Sequence, residues 1–427
     1  MHGYKRARAR SWLVGAVALM MLTAACAAES GGSDDPDGSG ATGGTVLGDT
    51  IKIGGLVTKT SSVGYNSTAA EIGAKARFDR ANAEGGVNGR KIDFIGAEDD
   101  GMVPATGEAA VKKLVQRDKV FAIVPWVAPT ARSAEVPEAA GVTRFGWGTN
   151  DSWCGSEISF PFSGCLVPKD TTSEETLWNR GYVAHVLAKE LGSTDGMAKG
   201  QKVWIQGFDN SESKRGVEVY NQVFKASGFD VAGTSSSIPV AAPPSDWLPY
   251  INKIMKSADG GPPDVVFSVM SGKTNLGMYG ALRQAGFQGV LADASSYDPA
   301  LVASAQGAQV LEGVYTSVGF APFESGTAEV QQFMADVRKT DPKHVFTQNT
   351  AMGYWSADIF LTALENAGKD VTAASFLASA QKLTYDNPGL GKLTFPANKT
   401  EPGSCAALVQ VKGGKYTVAQ PLTCFDR

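Results

Sequence analysis

Histidine is scarce in this chain. Three occur in 427 residues, His2, His185 and His344, and none stands at metal-ligand spacing from a cysteine. Nucleophilic hydrolysis needs a base beside its nucleophile, most often histidine, and neither His185 nor His344 falls on a predicted ligand loop. No GxSxG elbow, Walker loop or HExxH helix occurs. Adjacent carboxylates such as Asp99 and Asp100 exist, but neighbouring side chains diverge and solvation is their default. These absences argue against an enzyme, and nothing calls for a cofactor or a metal. Basic charge is also short. Lys and Arg number 39 against 43 Asp and Glu, a formal charge of −4, which speaks against a general nucleic-acid binder. Beyond the first residues no apolar run is long enough to cross a membrane.

What is present begins with a processing segment. Lys5, Arg6, Arg8 and Arg10 form a basic head, Trp12–Leu22 a short apolar core, and Leu22-Thr23-Ala24-Ala25-Cys26 a small-residue stretch before a cysteine. This resembles a bacterial lipobox, with Thr23 where Leu is usual. It implies residues 1–25 as a lipoprotein signal peptide and a lipid on Cys26. Each buried methylene adds about 0.8 kcal/mol, so several acyl chains anchor stably where one is marginal. Residues 26–49, rich in Gly, Ser, Asp, Ala and Thr, read as a flexible tether. Removing residues 1–25 takes away four basic residues and no acidic one, which leaves −8. The remaining length suggests about two domains.

Cys154 and Cys165 lie close in sequence, as do Cys405 and Cys424. In an exported chain thiols oxidise, so each pair reads better as a local disulfide than as a metal site, although sequence does not dictate the pairing.

The stretch Ile51–Ile95 organises the rest. IKIGGLV has strand length and runs into the loop TKTSSVGY. From Ser67, Ala70, Ala74, Phe78 and Ala81 recur at helical spacing, with charged residues between them. Gly85-Gly86 stops that helix, and Lys91–Ile95 reads as a second strand. Strand, helix and strand form a right-handed crossover of a parallel sheet, whose ligands bind beyond the carboxyl ends of the strands.

IKIGGLV…GGVNGRKIDFIGAEDDGMVP resembles the start of type I periplasmic substrate-binding proteins of ABC importers, in the leucine/isoleucine/valine-binding branch. The resemblance continues, more weakly, through most of Ile51–Arg427. It implies an α/β fold of two doubly wound parallel-sheet lobes joined by a three-crossing hinge, with residues 50–170 plus 318–389 in lobe I and 171–317 plus 390–427 in lobe II. Strand–helix alternation agrees. Val120–Val124 and Val142–Trp147 follow the first unit, and the pattern restarts at Lys202–Gln206 and runs on through Asp264–Val269 and Gly313–Ser317. By the resemblance, helices Val330–Lys339 and Ala351–Ala367 return to the first lobe, and Leu390–Phe395 crosses to the second. The tail carries strands Ala407–Val411 and Tyr416–Val418.

Candidate ligand contacts sit at predicted strand ends. They are Thr60, Ser61, Ser62, Tyr65, Trp126, Ala128, Thr130, Trp147, Thr149 and Asn150 in the first lobe. In the second they are Asp209, Asn210, Ser213, Ser271, Asp293, Ser295 and Tyr297. Hydroxyls, amides and backbone N–H groups hold a polar head, and aromatic rings enclose an apolar body. Any single Ser, Thr, Asp or Asn here could instead cap a helix or turn, and either tryptophan could be core. Tyr65 matches a pocket-wall tyrosine of the family. Two positions depart from the amino-acid-binding pattern: Ala128 replaces a serine that grips the ligand carboxylate, and Ala294 the glutamate that pairs with the ammonium. Asp293 is adjacent, but one step along a strand turns a side chain to the other face. The expected ligand is a small organic compound, whether like a branched-chain or hydrophobic amino acid, an amide, or an aromatic or other organic acid. The two departures favour an apolar or aromatic one bearing at most one charge. The expected partners are an ABC permease and its ATPase, with the protein a lipid-anchored extracytoplasmic monomer. The alternatives are a ligand-sensing module on the same fold and a secreted lipoprotein hydrolase.

Overall fold

The computed structural model describes residues 48–62, 64–129, 132–167, 182–240 and 242–425. The signal segment, nearly all of the tether, Cys26 and Thr130 lie outside them. Strand β1 (Thr50–Val57) is followed by helix α1 (Thr68–Ala83) and strand β2 (Lys91–Asp99), the expected crossover unit. The GGVNGR turn has a local reason. Gly85 and Gly86 take φ of 108° and 85°, and a Cβ on Gly86 would fall 2.1 Å from the Arg90 carbonyl oxygen. Asn88 at its tip donates to the carbonyls of Leu364 and Glu365, each at 3.1 Å.

Helix α2 (Pro104–Lys112), strand β3 (Ala122–Val127), helix α3 (Glu135–Ala140) and strands β4 (Thr143–Gly146) and β5 (Ser159–Pro161) complete a parallel sheet of order β2-β1-β3-β4-β5. The fifth strand has three residues, too few for periodicity to reveal.

The second lobe begins with helix α4 (Tyr182–Glu190) and continues through strand β6 (Lys202–Phe208), helix α5 (Ser211–Ala226), strand β7 (Asp230–Ile238), helix α6 (Leu248–Ile254), strand β8 (Val265–Ser268), helix α7 (Gly272–Gln284) and strand β9 (Val290–Asp293). Short helices α8 (Pro299–Val302) and α9 (Ala305–Leu311) lead to strand β10 (Tyr315–Val318). Five parallel strands, β7-β6-β8-β9-β10, are extended by the antiparallel pair β13 (Cys405–Lys412) and β14 (Lys415–Cys424).

Between these, helices α10 (Ala328–Thr340), α11 (Gln348–Asn366) and α12 (Ala373–Ala380) return to the first lobe. Most of α11 is buried. It crosses α1 at glycines: a Cβ on Gly73 would meet the Thr350 oxygen at 2.0 Å, and one on Gly353 the Ala70 oxygen at 1.9 Å. Phe360 of α11 packs edge-on against Phe78 and Phe145, and burying such a ring contributes about 1.5–3 kcal/mol.

The last crossing differs from expectation. Instead of leaving the first lobe, Gly391–Thr394 (β12) pairs antiparallel with Thr384–Asn387 (β11). Asn387 accepts from the Gly389 N–H at 2.8 Å within an Asn-Pro-Gly turn, and the Tyr385 hydroxyl donates to Asp358 of α11 at 2.6 Å. The chain reaches the second sheet only at β13. Disulfides join Cys154 to Cys165 and Cys405 to Cys424. Among the described residues no helix is long and apolar enough to cross a membrane.

Candidate functional site

In each sheet the strand order reverses direction beside the first strand of its lobe, at β1/β3 in one and β6/β8 in the other. Such reversals open a crevice beyond the strand ends, because the loops there leave in opposite directions. The two crevices face one another across a cavity of about 200 Å³. The loops after β1, β2, β3 and β4 bring Tyr65, Met102, Pro129, Trp147 and Thr149 to it. Opposite, the end of β6 brings Phe208, the first turn of α5 Ser213, and the loops after β8 and β9 Met270, Ser271, Ala294 and Ser295. The lobe rims touch. Ser62 Oγ donates to the Val240 carbonyl at 3.3 Å, and a Cβ on Gly64 would stand 2.5 Å from Lys273 Cδ.

Hydrogen bonds shape the β1 loop. Ser67 Oγ accepts from the Thr58 N–H at 2.7 Å and donates to the Val127 carbonyl at 2.6 Å, so the ends of β1 and β3 are tied together. Asp99 accepts from the Lys59 N–H at 2.7 Å and from Thr60 Oγ1 at 2.8 Å. Burial opposes its ionisation, yet these bonds and that from Gly101 hold its pKa below the usual carboxylate range. Asp100 is buried and accepts from Thr58 Oγ1 at 2.7 Å. The adjacent carboxylates are thus loop anchors, where sequence suggested solvation.

The predicted contacts divide into two sets. Tyr65, Trp147, Thr149, Asn210, Ser213, Ser271 and Ser295 line the cavity, as does Ala294. The Tyr65 hydroxyl has Ser67 beside it, and neither that hydroxyl nor the buried Thr149 Oγ1 makes a close hydrogen bond. Burial and the charge of Asp100 raise the Tyr65 pKa, with Ser67 acting the other way, so the phenol stays protonated and can donate. Ser213 Oγ accepts from the Phe208 N–H at 2.8 Å, and Asn210 and Ser271 cap α5 and α7.

The other set lies off the cavity wall. Thr60 is bonded to Asp99, and Ser61 Oγ donates to the Tyr65 carbonyl at 2.8 Å. Asp209 is exposed and paired with Lys214 at 2.5 Å. Asn150 bonds Ser152 and Pro129. Trp126 and Ala128 are in the core rather than at the cleft edge. Arg144 lies 4.8 Å from the Trp126 ring centroid and 4.4 Å from that of Trp153, and fills the space between the two indoles. Asp293 is fully buried and saturated. It accepts from the N–H groups of Ser295 and Ser296 at 3.0 and 2.8 Å, from Ser296 Oγ at 2.6 Å and from the Tyr279 hydroxyl at 3.0 Å. Burial raises its pKa against those bonds. Tyr297 is fully buried, stacked on Phe323 at 4.8 Å and accepting its N–H at 2.9 Å. His185 and His344 do not line the cavity.

Sequence reasoning passed over the apolar wall: Met102, Leu166, Val167, Phe208, Val219, Tyr220, Val269 and Met270. One signal was available. Glu212, Gly216, Val219 and Tyr220 fall at i, i+4, i+7 and i+8, one face of α5.

Two lobes of parallel sheet, with a cavity enclosed between their carboxyl ends, define the architecture of a two-domain binding protein. The chain belongs to the periplasmic binding protein family, whose model it matches over residues 50–415. No curated protein matches it by sequence. Among solved structures it is similar to a fatty acid ABC transporter substrate-binding protein from Thermomonospora curvata, with 18% identity and a TM-score of 0.71 over 90% of this chain and 95% of that one. A solute-binding protein of an R. palustris ABC transporter in complex with benzoate gives 18% and 0.66 over 88% and 98%. A leucine-binding protein from Thermotoga maritima gives 17% and 0.67 over 88% and 99%. At these identities the likeness is one of fold.

Proposed function

We propose that this chain is the extracytoplasmic solute receptor of an ABC importer, held at the membrane by a lipid on Cys26, and that it has no catalytic role. The ligand is an apolar or aromatic compound with at most one charge, enclosed as the lobes close. The permease and its ATPase recognise the closed, monomeric form. One observation carries the reading: the cavity at both switch points is walled mainly by apolar side chains, with Glu212 its only charged residue among those described. A zwitterion needs partners for two charges, and an unpaired buried charge is expensive. The positions that would supply them do not. Ala294 presents a methyl group to the cavity, Asp293 is consumed by its own loop, and Ala128 is in the core. Similar folds whose names mention a fatty acid and benzoate support an apolar ligand, and the leucine-binding relative marks the competing choice.

Calorimetric titration with benzoate, phenylacetate, octanoate, leucine, isoleucine and valine tests this. An apolar or aromatic monocarboxylate is expected to bind at least about tenfold, or 1.4 kcal/mol, more tightly than any of the amino acids. Tight leucine binding with no response to the other compounds would overturn the proposed ligand class.

A further inference from the structure

A second cavity of about 60 Å³ lies on the hinge side of the first. Trp147, Leu166, Tyr220 and Ala294 line both, so the two share a wall in which Ala294 projects only a methyl group. Both lobes and the hinge build the inner chamber. Ser317 comes from the end of β10, Gly319 from the segment that follows it, Gln348 from the first turn of α11, and Lys392 from β12.

Two of its polar atoms are unsatisfied. Ser317 and Gln348 are 5% and 4% exposed, and neither Ser317 Oγ nor Gln348 Oε1 has a hydrogen-bond partner. Buried polar groups are as a rule paired, so two orphans on the wall of one small chamber call for a further molecule in it. The space suits a few waters or one small polar head, since a water needs about 10–15 Å³ of such volume. Charge is distributed unequally. Among the described residues Lys392, itself exposed to solvent, is the only charged side chain bordering the inner chamber, and the half-buried Glu212 the only one on the outer. An acidic group would be repelled from the Glu212 end and drawn to the Lys392 end.

We infer that the solute site is continuous through both chambers and takes an elongated monocarboxylate, its apolar body in the outer chamber and its carboxylate in the inner one. The inference rests on the solute-binding reading above and adds the ligand's length and orientation. Ser317 donates its hydroxyl proton to the carboxylate, Lys392 supplies the counter-charge, and the Gln348 amide, turned to present its nitrogen, donates a second bond.

The glycines supply the test. A Cβ on Gly319 or on Gly216, which lines the outer chamber, meets no atom within 4 Å, and neither residue has positive φ. Leucine at either site is therefore accommodated without backbone strain and should narrow the chamber that its glycine lines. Wild type, Gly319→Leu, Lys392→Gln and Gly216→Leu, each checked for an unchanged melting temperature, are titrated with phenylacetate, phenylbutyrate, phenylhexanoate and phenylhexanamide. Wild-type affinity should rise with acid length and exceed that for the amide by about tenfold or more, a preference set by charge. Lys392→Gln should abolish the acid preference. Gly319→Leu should remove the gain with length, and Gly216→Leu should weaken every compound. If acids and amide bind alike and the Gly319 and Lys392 variants match wild type, the inner chamber holds water only and the inference is wrong, while loss of binding in Gly216→Leu would leave the solute reading intact. If wild type binds none of the panel the inference also fails. Release of a small molecule on denaturing the purified protein would then still support the solute reading.

Discussion

The indole Nε1 of Trp126 donates to the carbonyl of Ala128 at 3.2 Å. Trp126 is the penultimate residue of β3 and Ala128 follows the strand's end, so the bond holds the ring against its own backbone, edge-on to Trp153 at 6.1 Å. Two positions that sequence places at the ligand thereby become part of the wall behind it. Trp126→Ala should lower stability by about 3–5 kcal/mol, the usual cost of emptying a core tryptophan site. Trp147 is half-buried against the core, so Trp147→Ala should cost less stability than Trp126→Ala and should weaken ligand binding by about 1–3 kcal/mol. Thermal melts and titrations of the two variants, run side by side, separate the roles.

The α1–α11 crossing leaves no room for a methyl group, since a Cβ on Gly353 would sit 1.9 Å from the Ala70 oxygen. Gly353→Ala should therefore destabilise by about 1–3 kcal/mol or more despite the better helix propensity of alanine. A denaturant melt that finds the variant as stable as wild type would contradict the close approach.

Lys399 predicts a pH dependence. Its ammonium donates to the Ser156 carbonyl at 2.8 Å and to that of Glu157, and lies 3.9 Å from the Phe160 ring centroid. Burial pushes its pKa down to about 7, with Glu157 opposing the shift and Arg144 adding to it. An unfolded lysine titrates near 10.4. Between these values the unfolded chain binds the extra proton, so raising the pH favours the folded state. Wild type should gain stability relative to Lys399→Met as pH rises from about 7 toward 10, and the difference should be flat below about pH 6. Paired melts across that range would show the slope or its absence.

The anchor is tested at Cys26. Cys26→Ser should release folded protein from the membrane or leave the precursor uncut, whereas wild type should take up metabolic acyl label. A variant that fractionates like wild type, with no label on the wild-type cysteine, would remove the lipid from the proposal.

Much of the fold was legible because it depends on local rules. The period change at Ser67 marked α1, the GGVNGR turn marked its end, and renewed strand–helix alternation at Lys202 marked the second lobe. The close cysteine pairs indicated the two disulfides found. What was missed depends on long-range or very short features. The three residues of β5 carry no period, and the β11–β12 hairpin needed its Asn-Pro-Gly turn weighed above the family pattern. At the site, strand ends pointed to loops that border the cavity, but residue type could not say which side chains point inward. Asp293 looked like a ligand group because it is charged at a strand end. Its carboxylate oxygens are instead occupied by five neighbouring donors, Ser295 N, Ser296 N, Ser296 Oγ, Tyr279 and Thr316. The apolar wall escaped notice because Met, Val and Phe beside a strand also read as core.

The central claim is that the cavity between the two sheets is a solute site, and Gly216 offers the most direct access to it. Calorimetric titration of wild type and Gly216→Leu with the tightest-binding compound of the panel compares an open chamber with a narrowed one. Wild type should bind one equivalent saturably and release the compound chemically unchanged, while the equally stable variant should lose at least about tenfold in affinity. Equal binding by both, or conversion of the compound to product, would contradict the account.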